Sequence, residues 1–184
     1  MRSLSRRSVR PGALPLVIHI DGASRGNPGQ AGAGVWLASE EGKKIGEISR
    51  YLGHKTNNEA EYWALLLGLR EARRLGGDSI RVFTDSELIA RQVKGLYRVK
   101  DSKLRGLYQA VLEDLKGFSS FEIESIPREE NREADRLAKR AINEGMKRRK
   151  EEVRRGRDGR SSASPAEREK GGEESPSSTG QGGP

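Results

Sequence analysis

Four carboxylates in this chain stand where acids could do joint chemistry. Asp21 and Asp85 each follow an apolar, β-rich run, residues 14–20 before the first and 80–84 before the second. Glu61 falls in the first turns of an apolar helical stretch, and Asp135 lies one turn into the last helical stretch. Sites in open α/β sheets form outside the carboxyl ends of strands, so parallel first and fourth strands bring Asp21 and Asp85 together. Two carboxylates about 4 Å apart repel by roughly 4 kcal/mol at an effective dielectric near 20. A cluster of four therefore needs protons or cations. With no cysteine and no placed histidine, an all-oxygen ligand set selects hard ions, Mg²⁺ or Mn²⁺. Two such ions roughly 3.5–4 Å apart can activate a water and stabilise the leaving oxygen of a phosphodiester.

The elements that must position these acids are legible in turn. Residues 14–20 read as a buried strand, and Gly26-Asn27-Pro28-Gly29 as a turn cluster. Residues 31–39 and 43–51 read as the next two strands, joined at Glu41-Gly42, which completes an antiparallel meander. Thr56-x-x-Glu59 is a capping box opening a central helix that is apolar all round over residues 62–69 and stops at Gly76-Gly77. A short buried strand over 80–84, helices over 86–94 and 102–116, and a half-exposed strand over 121–126 follow. The last helix spans 131–143 with Gly145 as its C-cap. The order β-β-β-α-β-α-α-β-α, with right-handed crossovers, gives an α/β fold: a five-stranded mixed sheet, three antiparallel strands plus two parallel, flanked by helices.

The net charge of +8 is concentrated at the ends: +4 in residues 1–15, +3 in residues 146–184, and only +1 between them. Basic tails alone are therefore weak grounds for inferring a nucleic-acid partner. The expected division is a disordered basic leader over 1–13, one domain over 14–145 and a disordered low-complexity tail over 146–184. The absence of cysteine fits a reducing cytoplasm, and no apolar run reaches membrane-spanning length. A monomer is expected.

Four motifs carry a resemblance. They are Ile20-Asp21-Gly22-Ala23-Ser24-Arg25-Gly26-Asn27-Pro28-Gly29, Thr56-Asn57-Asn58-Glu59-Ala60-Glu61, Thr84-Asp85-Ser86 and Glu130-Asn131-Arg132-Glu133-Ala134-Asp135. In this order and spacing, over residues 14–145, the chain resembles a type 1 ribonuclease H of the short form, without a separate hybrid-binding domain. The resemblance implies two-metal hydrolysis of the RNA strand of RNA–DNA hybrids, leaving 3′-hydroxyl and 5′-phosphate ends. It implies that Asp21 bridges both ions, that Glu61 and Asp85 hold the ion at the leaving group, and that Asp135 holds the ion carrying the attacking water. Asn27, Asn57 and Asn58 match positions touching the hybrid's minor groove, where amides can donate and accept. Ser86 and Arg128 complete the substrate-side set.

Two features depart from that family. The loop before the last helix, residues 125–130, holds no histidine; Arg128 stands there instead, able to hold a phosphate but not to shuttle a proton at neutral pH. The segment between the two middle helices, residues 94–101, is too short for a long basic handle. Plainer roles compete at several positions. Asp21 and Asp85 taken singly are ordinary turn or N-cap residues; with Glu61 and Asp135 in register, the functional reading is the stronger. Glu59 is explained by its capping box, and Glu130 and Glu133 by solvated faces. Trp36, Tyr62 and Trp63 read as core, and His19 as a satisfied buried histidine. Two rival functions remain: a broader nuclease that also cuts double-stranded RNA, and a non-catalytic nucleic-acid-binding module on the same fold.

Overall fold

The apolar alternation that starts at Leu14 runs on past Asp21. The first strand, β1, spans Leu14–Gly26 and turns through residues 27–28 into β2, Gly29–Ser39; β3 follows over Lys44–Lys55. The computed structural model describes residues 14–161; the leader over 1–13 and the tail from 162 onward lie outside the described residues. After β3 come α1 (Asn57–Arg74), β4 (Gly77–Thr84), α2 (Glu87–Val93), α3 (Ser102–Leu115), β5 (Ser120–Ser125), a 3₁₀ turn at Arg128–Glu130 and α4 (Arg132–Ser161). The sheet order is β3-β2-β1-β4-β5. β1 pairs antiparallel with β2 and parallel with β4, which makes it the strand where the two halves of the mixed sheet meet. The described residues divide into two units, one up to Arg148 and one from Arg149. The sheet and all the candidate site residues lie in the first.

On one face of the sheet, Leu16, Ile18, Ile20, Val35, Leu37, Ile80 and Val82 form the core with Leu65, Leu66 and Leu69 of α1. The helix begins where the sequence predicts: Thr56 accepts from the Glu59 N–H, and the Glu59 carboxylate accepts from the Thr56 N–H, closing the capping box. It comes close to the sheet because Gly68 has no side chain; a Cβ there would stand 3.0 Å from Ile18 Cγ2.

The opposite face carries α4. Paired residues on neighbouring strands share a face, and Gly34, the partner of Asp21, lies directly under this helix. A Cβ on Gly34 would fall 2.1 Å from the Ala134 carbonyl oxygen, and one on Gly32 would fall 2.5 Å from that of Ala138. α4 thus rests on bare backbone.

The structure moves several expected boundaries: β1 runs to Gly26 where 20 is expected, β3 to Lys55 where 51 is expected, and the last helix moves furthest. The last helix does not stop at Gly145 but continues to Ser161, into the stretch expected to be a disordered tail. Gly145 is no C-cap: it is a point of close approach, where a Cβ would stand 2.1 Å from the Tyr51 ring. Beyond it Met146-Lys147-Arg148-Arg149-Lys150-Glu151-Glu152 are good helix formers, and Glu144 pairs with Arg148 one turn on. The aromatic assignments divide. Tyr62 is fully buried and Trp63 packs against the core. Trp36 and His19 are only half-buried, with the imidazole lying between the Trp36 and Phe83 rings at 5.4 and 5.1 Å.

Candidate active site

β4 ends at Thr84, opposite Ile20, while β1 runs six residues further. At that step the sheet opens on one side of Asp21, and Asp85 leaves β4 into the gap. Gly22, the next residue of β1, faces α1; a Cβ there would stand 2.1 Å from the Glu61 backbone nitrogen. The absent side chain lets the first turns of α1 settle beside Asp21 and carry Glu61 to it. Gly34 does the same for α4 and Asp135 on the other face. Two glycines flanking one aspartate, on opposite faces of one sheet, therefore set where the acids meet.

Asn131 pins the register of α4. It is buried, 1% exposed, and its Nδ2 donates to the Ile20 carbonyl at 2.8 Å, across 111 residues of chain.

A cavity of about 430 Å³ opens at this place, lined by Asp21, Glu61, Asp85, Asn57, Arg128 and Lys139 among others. Asp21 and Glu61 are only 5% and 7% exposed. Burial pushes the Asp21 carboxyl up to about 8, reinforced by the charges of Asp85, Asp135 and Glu61 and opposed by Arg128. Burial also raises Glu61, to about 7, with Asp85 adding to the rise; hydrogen bonds from Ser86 and Asn57 pull the other way. One oxygen of Glu61, Oε1, accepts from Asn57 Nδ2 at 3.1 Å; the other, Oε2, is buried with no partner. Asp135 differs. Its partial burial favours the neutral form, but Lys139 Nζ at 2.5 Å from Oδ2 and Arg128 Nη2 at 2.8 Å from Oδ1 outweigh that and hold it below the ordinary carboxylate range. Protein cations thus satisfy one acid of the four while two others are left desolvated. Among the described residues no three of these side chains close on one point as a ready-made coordination shell.

The substrate-side residues are placed unevenly. Asn57 lines the cavity, and its backbone N–H donates to Asn27 Oδ1 at 3.2 Å, so those two amides and Glu61 form one connected row. Asn58 sits half-buried on the first turn of α1 but does not line the cavity. Ser86 caps α2, accepting from the Ile89 N–H at 3.4 Å. Arg128 is exposed and donates to Asp135 Oδ1. Sequence reasoning does not single out Lys139, although its spacing of four from Asp135 on a helix is an ordinary signal for an ion pair. It also passes over Gly22 and Gly34, because their role depends on strand parity and on which helix covers which face.

A sheet of order β3-β2-β1-β4-β5 with acids gathered where β4 stops beside β1 is the ribonuclease H-like fold, and the chain carries a ribonuclease H-like domain. The chain belongs to the reverse transcriptase-like family, whose profile matches residues 19–141. Ribonuclease HI of Halobacterium salinarum is 42% identical over 87 residues, 47% of this chain and 44% of that protein. A bifunctional protein of Mycobacterium tuberculosis is 42% identical over 93 residues, 50% of this chain and 25% of that protein. The chain thus spans less than half the length of these curated relatives. The crystal structure of the Halobacterium salinarum RNase H1 superposes with a TM-score of 0.69 at 38% identity, covering 71% of this chain and 98% of that one. LC11-RNase H1, solved in complex with an RNA/DNA hybrid, superposes with a TM-score of 0.68 at 37% identity, covering 71% and 99%. No helix among the described residues is long and apolar enough to cross a membrane.

Proposed function

We propose that this domain is an endoribonuclease that cuts the RNA strand of RNA–DNA hybrids at Asp21, Glu61, Asp85 and Asp135. The observation that carries the reading is the desolvated acid cluster: Asp21 and Glu61 are buried beside two further carboxylates, and Glu61 Oε2 has no partner. Buried, unpaired charge is costly, so a fold that keeps it is built for something that enters. The donors are all oxygens, which fits hard divalent cations, Mg²⁺ or Mn²⁺, two per site. When bound, such ions supply the acidity that activates water and the positive charge that stabilises a leaving oxygen.

The chain's own residues do the rest. Asp21 and Glu61 would hold such ions in their charged forms, and Asn57, which donates to Glu61 Oε1, and Ser86 favour that form of Glu61. Asn57 presents its amide to the cavity, with Asn27 bonded to its backbone N–H, where a 2′-hydroxyl would distinguish RNA from DNA. Arg128 is at hand for a phosphate once it leaves Asp135, and, always protonated, it serves as a charge and not as a proton shuttle. The hybrid-bound state of LC11-RNase H1 supports this substrate class.

The test is incubation of the full chain with labelled RNA–DNA, RNA–RNA and DNA–DNA duplexes of one sequence, each with Mg²⁺, Mn²⁺ or chelator. Metal-dependent cutting of RNA only in the hybrid, with 5′-phosphate ends, and its loss in Asp21→Asn, is the expected result. Binding without cutting under either metal would sink the catalytic reading.

A further inference from the structure

The cavity is longer than the four acids require. It extends past Asp21 along Ala23, Ser24 and Arg25 of β1 and along Lys139, Ile142 and Asn143 of α4. Two rows of side chains face each other across it. On β1, Asp21, Ala23 and Arg25 alternate onto the α4 side; on α4, Asp135, Lys139 and Asn143 recur every fourth residue on one side. Two strand residues advance about 6.6 Å and four helix residues about 6 Å, so the rows keep step. Their far ends meet where Arg25 Nη2 donates to Asn143 Oδ1 at 2.5 Å. The charge changes sign along this length. Acids occupy one end and Arg25 the other, and Lys139 stands between them, paired with Asp135.

Arg25 is exposed, and its partners are an exposed amide and, at 3.7 Å, the Met146 sulfur. No carboxylate ion pair is formed by it among the described residues, at the end of the cavity away from the acids. Fold stability gives little reason for an arginine here, since an exposed neutral contact contributes little.

We propose that Arg25 and Lys139 form a phosphate subsite, one that takes a backbone phosphate of the cut strand next to the phosphate being hydrolysed. Asn143 parks the Arg25 guanidinium toward the groove and lies outside the subsite. This rests on the hybrid-cutting reading above. A guanidinium suits a phosphate because its donors match two oxygens at once.

The test uses the full chain carrying Asp21→Asn, so that hybrid is bound without being cut, and reads binding of a fluorescent RNA–DNA hybrid in Mg²⁺ between about 50 and about 200 mM salt. Adding Arg25→Ala should weaken binding about tenfold and make the slope of log affinity against log salt shallower by about one. Asn143→Ala, which removes an orienting contact but no charge, should weaken binding less than Arg25→Ala and leave the salt slope unchanged. Replacing single RNA phosphates by uncharged methylphosphonate should reveal one position beside the scissile phosphate that weakens binding when Arg25 is present and not when it is alanine. Equal losses in Arg25→Ala and Asn143→Ala would make the pair a structural strut and overturn the proposal. So would an unchanged salt slope. If the wild type cuts hybrids while Arg25 has no influence on binding, the subsite alone falls; if the chain does not bind hybrid at all, both readings fall.

Discussion

Replacing Asp21 by asparagine should make the metal-free protein more stable, by an amount that depends on pH. The carboxyl is raised from its ordinary 3.8 to about 8 in the fold. Between those values the unfolded chain is ionised and the folded chain holds a proton, so stability falls as pH rises. The contribution is fully present below about pH 4 and fully lost above about pH 8. At 1.36 kcal/mol for each decade of proton affinity, the ceiling is about 6 kcal/mol. The cavity is open to water, and part of the rise comes from the charges of neighbouring carboxylates that water screens, so about 2–3 kcal/mol is the realistic share. For a unit of this size that is about 6–12 °C in melting temperature. The assay is thermal unfolding of wild type and Asp21→Asn in chelator from pH 4.5 to pH 9, with the difference plotted; effects common to both proteins cancel. The difference should be near zero at the acid end, grow through neutrality, level off above pH 8, and shrink when Mg²⁺ is added to the wild type. A difference that is flat with pH, or a less stable Asp21→Asn at pH 8, would refute the desolvation argument.

Other outcomes follow from the same geometry. Gly145→Ala should destabilise the fold although alanine favours a helix by about 1 kcal/mol, because the new methyl would meet the Tyr51 ring at 2.1 Å; denaturant midpoints would show it, and a stabilised variant would contradict the packing. Gly34→Ala should cost several kcal/mol by forcing α4 off β2, about the range of severe overpacking, and should lower cleavage in the surviving folded fraction. Thr56→Ala should cost about 1 kcal/mol through the lost capping box, read by chemical unfolding. At the proposed metal site protons would compete with cations for Asp21 and Glu61, whose carboxyls lie near 8 and 7. The Mn²⁺ concentration giving half-maximal thermal stabilisation should therefore fall about tenfold or more from pH 6.5 to pH 8.5; an unchanged midpoint would mean that no proton is displaced.

Much of this architecture is legible in residue order. The apolar runs before Asp21 and Asp85, the Thr56–Glu59 box and the Gly76 stop are local signals, and local signals fix strand and helix existence. The strand order follows from crossover handedness. What residue order does not carry depends on contacts remote in sequence. Gly22 and Gly34 look like any strand glycines until one knows which helix crosses each face. Gly145 resembles a terminator because a glycine after an apolar helical run resembles a cap; only the distant Tyr51 ring explains it. Arg128 is expected to hold a phosphate; its ion pair with Asp135, seven residues on, is visible only once the turn between them is in place. Asn131 belongs to a motif, but its bond to the Ile20 carbonyl is visible only in three dimensions.

That bond joins two points 111 residues apart, which has a bearing on how the protein is made. Asp21 emerges early in synthesis, yet its surroundings stay incomplete until the segment from Asn131 to Asp135 has emerged and α4 has laid itself over Gly34. A chain that ends before Asn131 contains the residues of the meander and α1, Asp21 and Glu61 among them, but lacks the fourth carboxylate and the helix that seats it. Assembly of the acid cluster is thereby tied to completion of the domain, and unfinished chains carry only a partial cluster.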